Sequence, residues 1–270
     1  MNTNADAKIL PVATFITTDV KNGIATIKLN RPDVRNAIND EMRAELIAAF
    51  EWADKSREVR GVILTGEGKG FCSGGDIGGM RGRLEAPAGE VAFNGWLRQK
   101  QTHKGISVIR NMTKPVIAAV NGAAFGLGLD MALACDFIIA SSGAKLSMSF
   151  IKRGLVSDGG GMYFLPRRVG LVKAKELILT GRVVEAEEAL QIGMVDRISS
   201  TEELLNDAQT WAEELCQGAP AAIALTKAIL DQSMESTADE ILTLGREAQA
   251  ICYTTSEHRA SVEDFLNKTR

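Results

Sequence analysis

Two aspartates and two glycine-rich turns are the groups in this 270-residue sequence whose types and spacing could do chemistry. The first turn is Gly70-Phe71-Cys72-Ser73-Gly74-Gly75-Asp76-Ile77. The second runs from Asn121 to Asp130 and carries Gly122, Gly126 and Gly128. Each follows an apolar, β-rich run, 61–65 and 115–120. Each therefore reads as a strand end where backbone N–H groups can point at a ligand. Two such groups converging on one oxygen would make an oxyanion hole, which stabilises charge developing on a carbonyl. Asp130 sits one helical turn into the segment that the second turn opens, where the positive end of a helix favours an ionised carboxylate. Asp158 lies in Gly154-Leu-Val-Ser-Asp158-Gly-Gly-Gly161. Two carboxyls in one apolar cleft suit general acid–base work. Plainer roles stand beside this one. An aspartate in a glycine turn can be a turn-former, and one near a helix start can satisfy its N–H groups. Asp76 and Asp136 follow strand-to-turn transitions and read as structural. His103, in a polar helix, reads as a surface residue. The run 66–70 lacks both the P-loop ending and the dinucleotide spacing.

These groups need elements to hold them. Lys21-Asn22-Gly23 between two β-rich runs, 14–20 and 24–29, is a hairpin signal. Asn39 caps a helix whose apolar face is Met42, Leu46, Ala49 and Phe50. The polar stretch after Met80, with Pro87, reads as a surface loop, and Val91–Met112 as a helix. Strands are expected at 137–140, 145–148 and 194–198, with helices near 173–180 and 186–192. Beyond residue 200 the pattern is helical: 202–217, 220–233, 237–251 and 258–268. The expectation is an α/β architecture: a loose tail over 1–10, a core over 11–200 and a helical region over 201–270.

Composition narrows the classes. With 45% hydrophobic and 24% charged residues the chain has the balance of an ordinary soluble globular protein. A net charge of −3 gives no electrostatic case for nucleic acid. No apolar run reaches membrane-spanning length, and the first eight residues lack the apolar core of a secretory signal, so a cytoplasmic protein is expected. Four scattered cysteines and two histidines do not make a zinc pattern.

Four segments, in order, resemble the crotonase superfamily of enoyl-CoA hydratases and isomerases. Leu29-Asn-Arg-Pro-Asp-Val-Arg35-Asn-Ala37 looks like its opening motif. Phe71 to Ile77 and Asn121 to Asp136 are similar to its two oxyanion loops, and Phe265-Leu-Asn-Lys268 to its C-terminal helix motif. The resemblance implies a spiral of repeated ββα units with a C-terminal helical trimerisation region, assembled as a homotrimer or dimer of trimers. It implies an acyl-CoA thioester as substrate and no cofactor beyond the coenzyme A of that substrate. Carried over residue by residue, Gly75 and Leu127 would offer the oxyanion N–H groups. Arg35, Ala37, Ser73, Gly74, Asp76, Ile77, Phe150, Phe265 and Lys268 would hold coenzyme A or substrate.

The pattern also departs from the family. Hydratases carry two glutamates, at positions matching Asp130 and Phe150 here, so the second carboxylate is missing. Asp158 stands where dienoyl-CoA isomerases and ring-epoxide isomerases place an aspartate. Dehalogenases place a nucleophilic aspartate there too, but lack an acid at position 130. The first expectation is therefore double-bond isomerisation. Asp158 would remove a proton, and Asp158 or Asp130 would return one. The alternative is hydration, with both aspartates positioning water. The third is a non-catalytic acyl-CoA-binding protein.

Overall fold

Strands that are apolar on every residue need cover on both faces, and this governs the architecture. The computed structural model describes residues 13–78 and 86–268. The expected tail and most of the loop after Met80 lie outside the described residues. Among those described, one sheet has six strands in the order β1 (Ile16–Lys21), β2 (Ile24–Leu29), β3 (Gly61–Gly66), β5 (Val116–Val120), β7 (Phe137–Ser141) and β10 (Arg197–Ser199). A second has four: β4 (Gly70–Cys72), β6 (Ala123–Phe125), β8 (Lys145–Ser147) and β9 (Val184–Glu185). The β1–β2 hairpin and the β8–β9 pair are antiparallel, and the other pairings are parallel.

Chain order explains the two sheets. β3 and β4, then β5 and β6, then β7 and β8 each give one strand to each sheet, and a helix follows. Those helices are α2 (Ala88–Arg110), α3 (Leu127–Leu133) and α4 (Gly161–Val169), with a short 3-10 turn, Ser149–Arg153, before α4. Each repeat thus ends a strand of the large sheet and starts a loop beside the small one. The expected ββα units are present. Helices α5 (Leu171–Thr180), α6 (Ala186–Gln191) and α7 (Leu204–Leu215) complete the body, and α8 (Pro220–Leu230), α9 (Ala238–Cys252) and α10 (Ser256–Lys268) end the chain.

Alternate side chains of the large sheet enter two cores, as the two-residue period of a strand requires. Val62, Leu64, Val116, Ala118 and Ile138 face the main core, which also takes Met42, Leu46 and Phe50 from α1 (Asp40–Lys55). Ile24, Ile63, Ile117 and Ile139 face the other side, covered by Leu204, Ala208 and Trp211 of α7. Asn39 caps α1 as expected, its side chain accepting from the Met42 N–H at 2.9 Å.

Asn36 ties the opening segment to the first turn. It is fully buried, has a positive φ of 56°, and holds three backbone groups through its amide. Its Oδ1 accepts from the Arg31 N–H at 2.8 Å, and its Nδ2 donates to the carbonyls of Glu67 (3.0 Å) and Gly70 (2.8 Å). Alanine would strip the partners from buried backbone groups and fits the left-handed conformation less well. Asn36→Ala is expected to lose about 2–4 kcal/mol of stability, read by denaturant unfolding.

Candidate functional site

The two glycine turns meet. A Cβ placed on Gly74 would stand 2.9 Å from the Phe125 carbonyl oxygen and 3.7 Å from the Leu127 nitrogen, so the backbones run side by side. Gly75 forms an isolated parallel bridge with Ile38. There the Ile38 N–H donates to the Gly74 carbonyl (2.8 Å) and the Asp76 N–H to the Ile38 carbonyl (3.0 Å). The Gly75 N–H stays outside this ladder. Leu127 is the first residue of α3, where no intrahelical partner exists for its N–H. Gly126 before it has φ 52° and ψ −122°, a conformation that glycine adopts and bulkier residues rarely do. A leucine is thus accommodated at position 127: its N–H has no intrahelical partner while its side chain is buried.

The opening motif is fastened to the first turn. The Arg31 guanidinium donates to the Ala37 carbonyl (2.6 Å) and pairs with Asp76 (2.8 Å), whose other oxygen accepts from the Gly78 N–H (2.8 Å). Asp76 is thus a loop tie, as its position after a strand suggests. The Ser73 N–H donates to the Arg35 carbonyl (2.9 Å) and its hydroxyl to the Val34 carbonyl (3.1 Å). Arg35 and Ile77 are exposed beside the turn, and Ala37 is buried. Cys72, within the turn, is fully buried, and burial pushes its thiol up to about 12. Its sulfur accepts the Gly74 N–H at 3.4 Å.

Asp130 is fully buried. The glycine loop after Asp158 closes over it: the Ser157 hydroxyl donates to one carboxyl oxygen (3.0 Å) and the Gly159 N–H to the other (2.9 Å). A Cβ on Gly161 would stand 2.2 Å from Oδ1, which is why that loop is glycine-rich. Burial lifts the Asp130 carboxyl to about 7. The Ser157 and Gly159 hydrogen bonds oppose the lift, and the charge of Asp158 adds to it. The helix start favours an ionised group, but desolvation outweighs it.

Asp158 is half-buried, and its carboxyl is also raised, again by burial first; its own N–H, the Gln99 amide and the charges of His103 and Arg43 work against the rise. His103 is exposed, as expected, yet its Nε2 lies 3.0 Å from the Asp158 carbonyl oxygen. Phe150 sits in the 3-10 turn with its ring edge 3.7 Å from the Cβ position of Gly126. The structure thus brings Gly75, Leu127, Asp130, Asp158 and Phe150 to one place. Phe265 and Lys268 are exposed on α10, outside the hydrogen-bond network of the turns. Gln99 and Arg43, which also act on the Asp158 carboxyl, carry no sequence signal beyond helical spacing. Asp136 ties the start of β5 to α8, accepting from the Val116 N–H and the Lys227 ammonium, both at 2.7 Å. Among the described residues no group of three or more His, Cys, Asp or Glu could hold a metal ion, and no helix is long and apolar enough to cross a membrane.

Comparison with known proteins gives consistent results. A family model described as enoyl-CoA hydratase/isomerase matches residues 19–270. The 1,2-epoxyphenylacetyl-CoA isomerase of Escherichia coli K12 is 35% identical over 254 residues, 94% of this chain and 96% of that one. The short-chain-enoyl-CoA hydratase of Clostridium acetobutylicum is 33% identical over 92% of each. The crystal structure of an enoyl-CoA hydratase/isomerase from Cupriavidus metallidurans CH34 superposes with a TM-score of 0.87 at 36% identity, covering 96% of this chain and 95% of that one.

The raised proton affinity of Asp130 has a consequence for stability. Between the unfolded value, about 3.9, and the folded value of about 7, the folded chain keeps a proton that the unfolded chain releases. Stability through this group therefore falls as pH rises across that window. Asp130→Asn removes the cost while preserving one acceptor for Gly159. It is expected to gain about 1–3 kcal/mol at pH 8 and almost nothing at pH 4. Unfolding midpoints at the two pH values check this; an equal loss at both would contradict it.

Proposed function

Because the chain belongs to the crotonase, or enoyl-CoA hydratase/isomerase, superfamily, we propose that it acts on an unsaturated acyl-CoA thioester through an enolate held by the Gly75 and Leu127 N–H groups. The thioester oxygen gains charge when the α-carbon loses a proton or when water adds to the β-carbon, and two fixed donors can supply several kcal/mol of stabilisation there. Asp130 and Asp158 move the protons. The observation that carries this reading is the pair itself: two neighbouring carboxyls, each raised by burial and each adjoining the second turn. A carboxyl near 7 can give or take a proton at neutral pH.

Hydration of a 2-enoyl-CoA is the outcome we favour. It needs one group to take a proton from water and another to protonate the α-carbon, roles that Asp130 and Asp158 together can fill, and it is the reaction named for the clostridial relative. Isomerisation, the first expectation from sequence, is the second reading. Phe150 beside Gly126 supports it, since an apolar ring in place of an acid leaves less provision for water. The Escherichia coli relative is named for an isomerisation.

Arg35, Ala37, Ser73, Gly74, Asp76 and Ile77 flank the donors and are assigned to holding the coenzyme A and acyl portions. Phe265 and Lys268 would serve this purpose only across a subunit boundary. We accordingly infer a homotrimer or a dimer of trimers. The exposed Leu230, Met234, Leu242, Ile251, Val262 and Leu266 on and around the last three helices support this.

Mass spectrometry of 2-enoyl- and 3-enoyl-CoA thioesters incubated with the enzyme in heavy water separates the outcomes. A product heavier by one water is expected for hydration. Rearranged, deuterated product without added water would replace it with isomerisation. Asp158→Asn is expected to lower kcat by about 10²–10⁴-fold with substrate binding retained. Asp130→Asn should lose a similar factor if both acids act, and much less if Asp158 works alone. Full activity in Asp158→Asn would remove that residue from the mechanism.

A further inference from the structure

One histidine outside the reaction scheme above touches the main chain of Asp158. His103 lies on α2 where that helix docks on the body: Thr102, Gly105, Ile106 and Ile109 are the buried residues of the helix, and it buries none before Thr102. The His103 Nε2 is 3.0 Å from the Asp158 carbonyl oxygen. A carbonyl only accepts, so Nε2 carries the proton of this contact. The ring is exposed.

The peptide that joins Asp158 to Gly159 is planar and stiff, and its C=O and N–H point in opposite directions. Both ends of it are held. The Gly159 N–H donates to Asp130 on α3 at 2.9 Å, and the carbonyl meets His103 on α2. The Ser157 hydroxyl donates to the other Asp130 oxygen at 3.0 Å, so the residue before Asp158 is tied as well. The chain beyond is permissive. Gly159, Gly160 and Gly161 follow in succession, and Gly160 has a φ of 90°. Without His103 the 158–159 plane would hang on one hydrogen bond beside three glycines. Rotation of that plane turns the Asp158 Cα, and the carboxyl turns with it.

We propose that His103 is a positioning residue for Asp158: its Nε2–H clamps the 158–159 peptide against Asp130 and so fixes the direction in which the Asp158 carboxyl leaves the backbone. The histidine acts through main chain, from the anchored half of a helix in one repeat onto the glycine loop of another. This inference rests on the reading that Asp158 transfers protons. A misplacement of about 1 Å at a reacting group can cost about 10²-fold in rate. An exposed hydrogen bond adds little to global stability. Loss of the clamp is therefore read in the loop and in turnover, not in folding.

The test uses the full-length protein labelled with nitrogen-15 histidine. His103→Gln assigns the signals, since His258 is the other histidine of the chain. The neutral His103 ring is expected as the Nε2–H tautomer, and an Nδ1–H tautomer would overturn the clamp. In His103→Leu, hydrogen exchange of the Gly159 amide is expected to quicken about tenfold while amides of β3 and β5 keep their rates. Unchanged exchange at Gly159 would overturn the proposal. So would faster exchange throughout, which reports a structural role alone. The kcat for 2-butenoyl-CoA is expected to fall about tenfold in His103→Leu with KM near its original value, and His103→Gln, whose amide can donate to the same carbonyl, should recover most of the loss. Full turnover in His103→Leu beside an inactive Asp158→Asn sinks the clamp only. Full turnover in Asp158→Asn sinks the proton-transfer reading beneath it.

Discussion

The backbones of two turns from different repeats lie against each other, and the rest of the site depends on that close approach. A Cβ at Gly128 would fall 2.3 Å from the Cys72 carbonyl oxygen, so no side chain can separate them. The parallel pairing of β4 with β6 brings the turns together, and the Asn36 amide and the Arg31–Asp76 pair hold the first of them from outside. Donors that must converge on one oxygen cannot be left to flexible side chains. In the proposed site they would belong to main chain fixed on both sides by sheet and by buried hydrogen bonds, and so be preorganised before any ligand arrives.

The same packing sets the electrostatics. Asp130 is enclosed because the 157–161 loop folds onto α3, and the enclosure makes its ionisation costly. Two hydrogen bonds reduce that cost without cancelling it. Asp158, between the two residues that make the enclosing contacts, keeps some solvent and lies near charged groups on α2 and α1. One short loop therefore supplies both the lid over one carboxyl and the second carboxyl. The charge of Asp158 adds to the proton affinity of Asp130, so a change at the loop residue is felt by the enclosed one.

Much of this was legible in the residues. Asn22-Gly23 announces the first hairpin, and both residues have positive φ. The apolar runs at 61–65 and 115–120 announce strands, and the change of period after residue 200 announces the terminal helices. The glycine turns and both aspartates were legible as a candidate site. What was not legible depends on contacts far apart in the chain. Strands β4, β6 and β9 are two or three residues long and exist because partners pair with them, not through their own propensity. Helix α4 begins after a run of glycines and contains Pro166, so its sequence advertises a turn. The proton affinity of Asp130 comes from a loop 27 residues away. His103 is exposed, as a polar helix suggests, but helical spacing did not show that the Asp158 carbonyl approaches it.

Cys72 offers a consequence of a different kind. Its thiol is sealed inside the first turn, and burial holds it almost wholly protonated at neutral pH. Electrophiles react with thiolates, so the sulfur is chemically silent while the turns stay together. It can react only when the segment opens locally. The rate at which a thiol reagent consumes it in the native protein is therefore a clock for that opening, placed by the fold inside the first glycine turn.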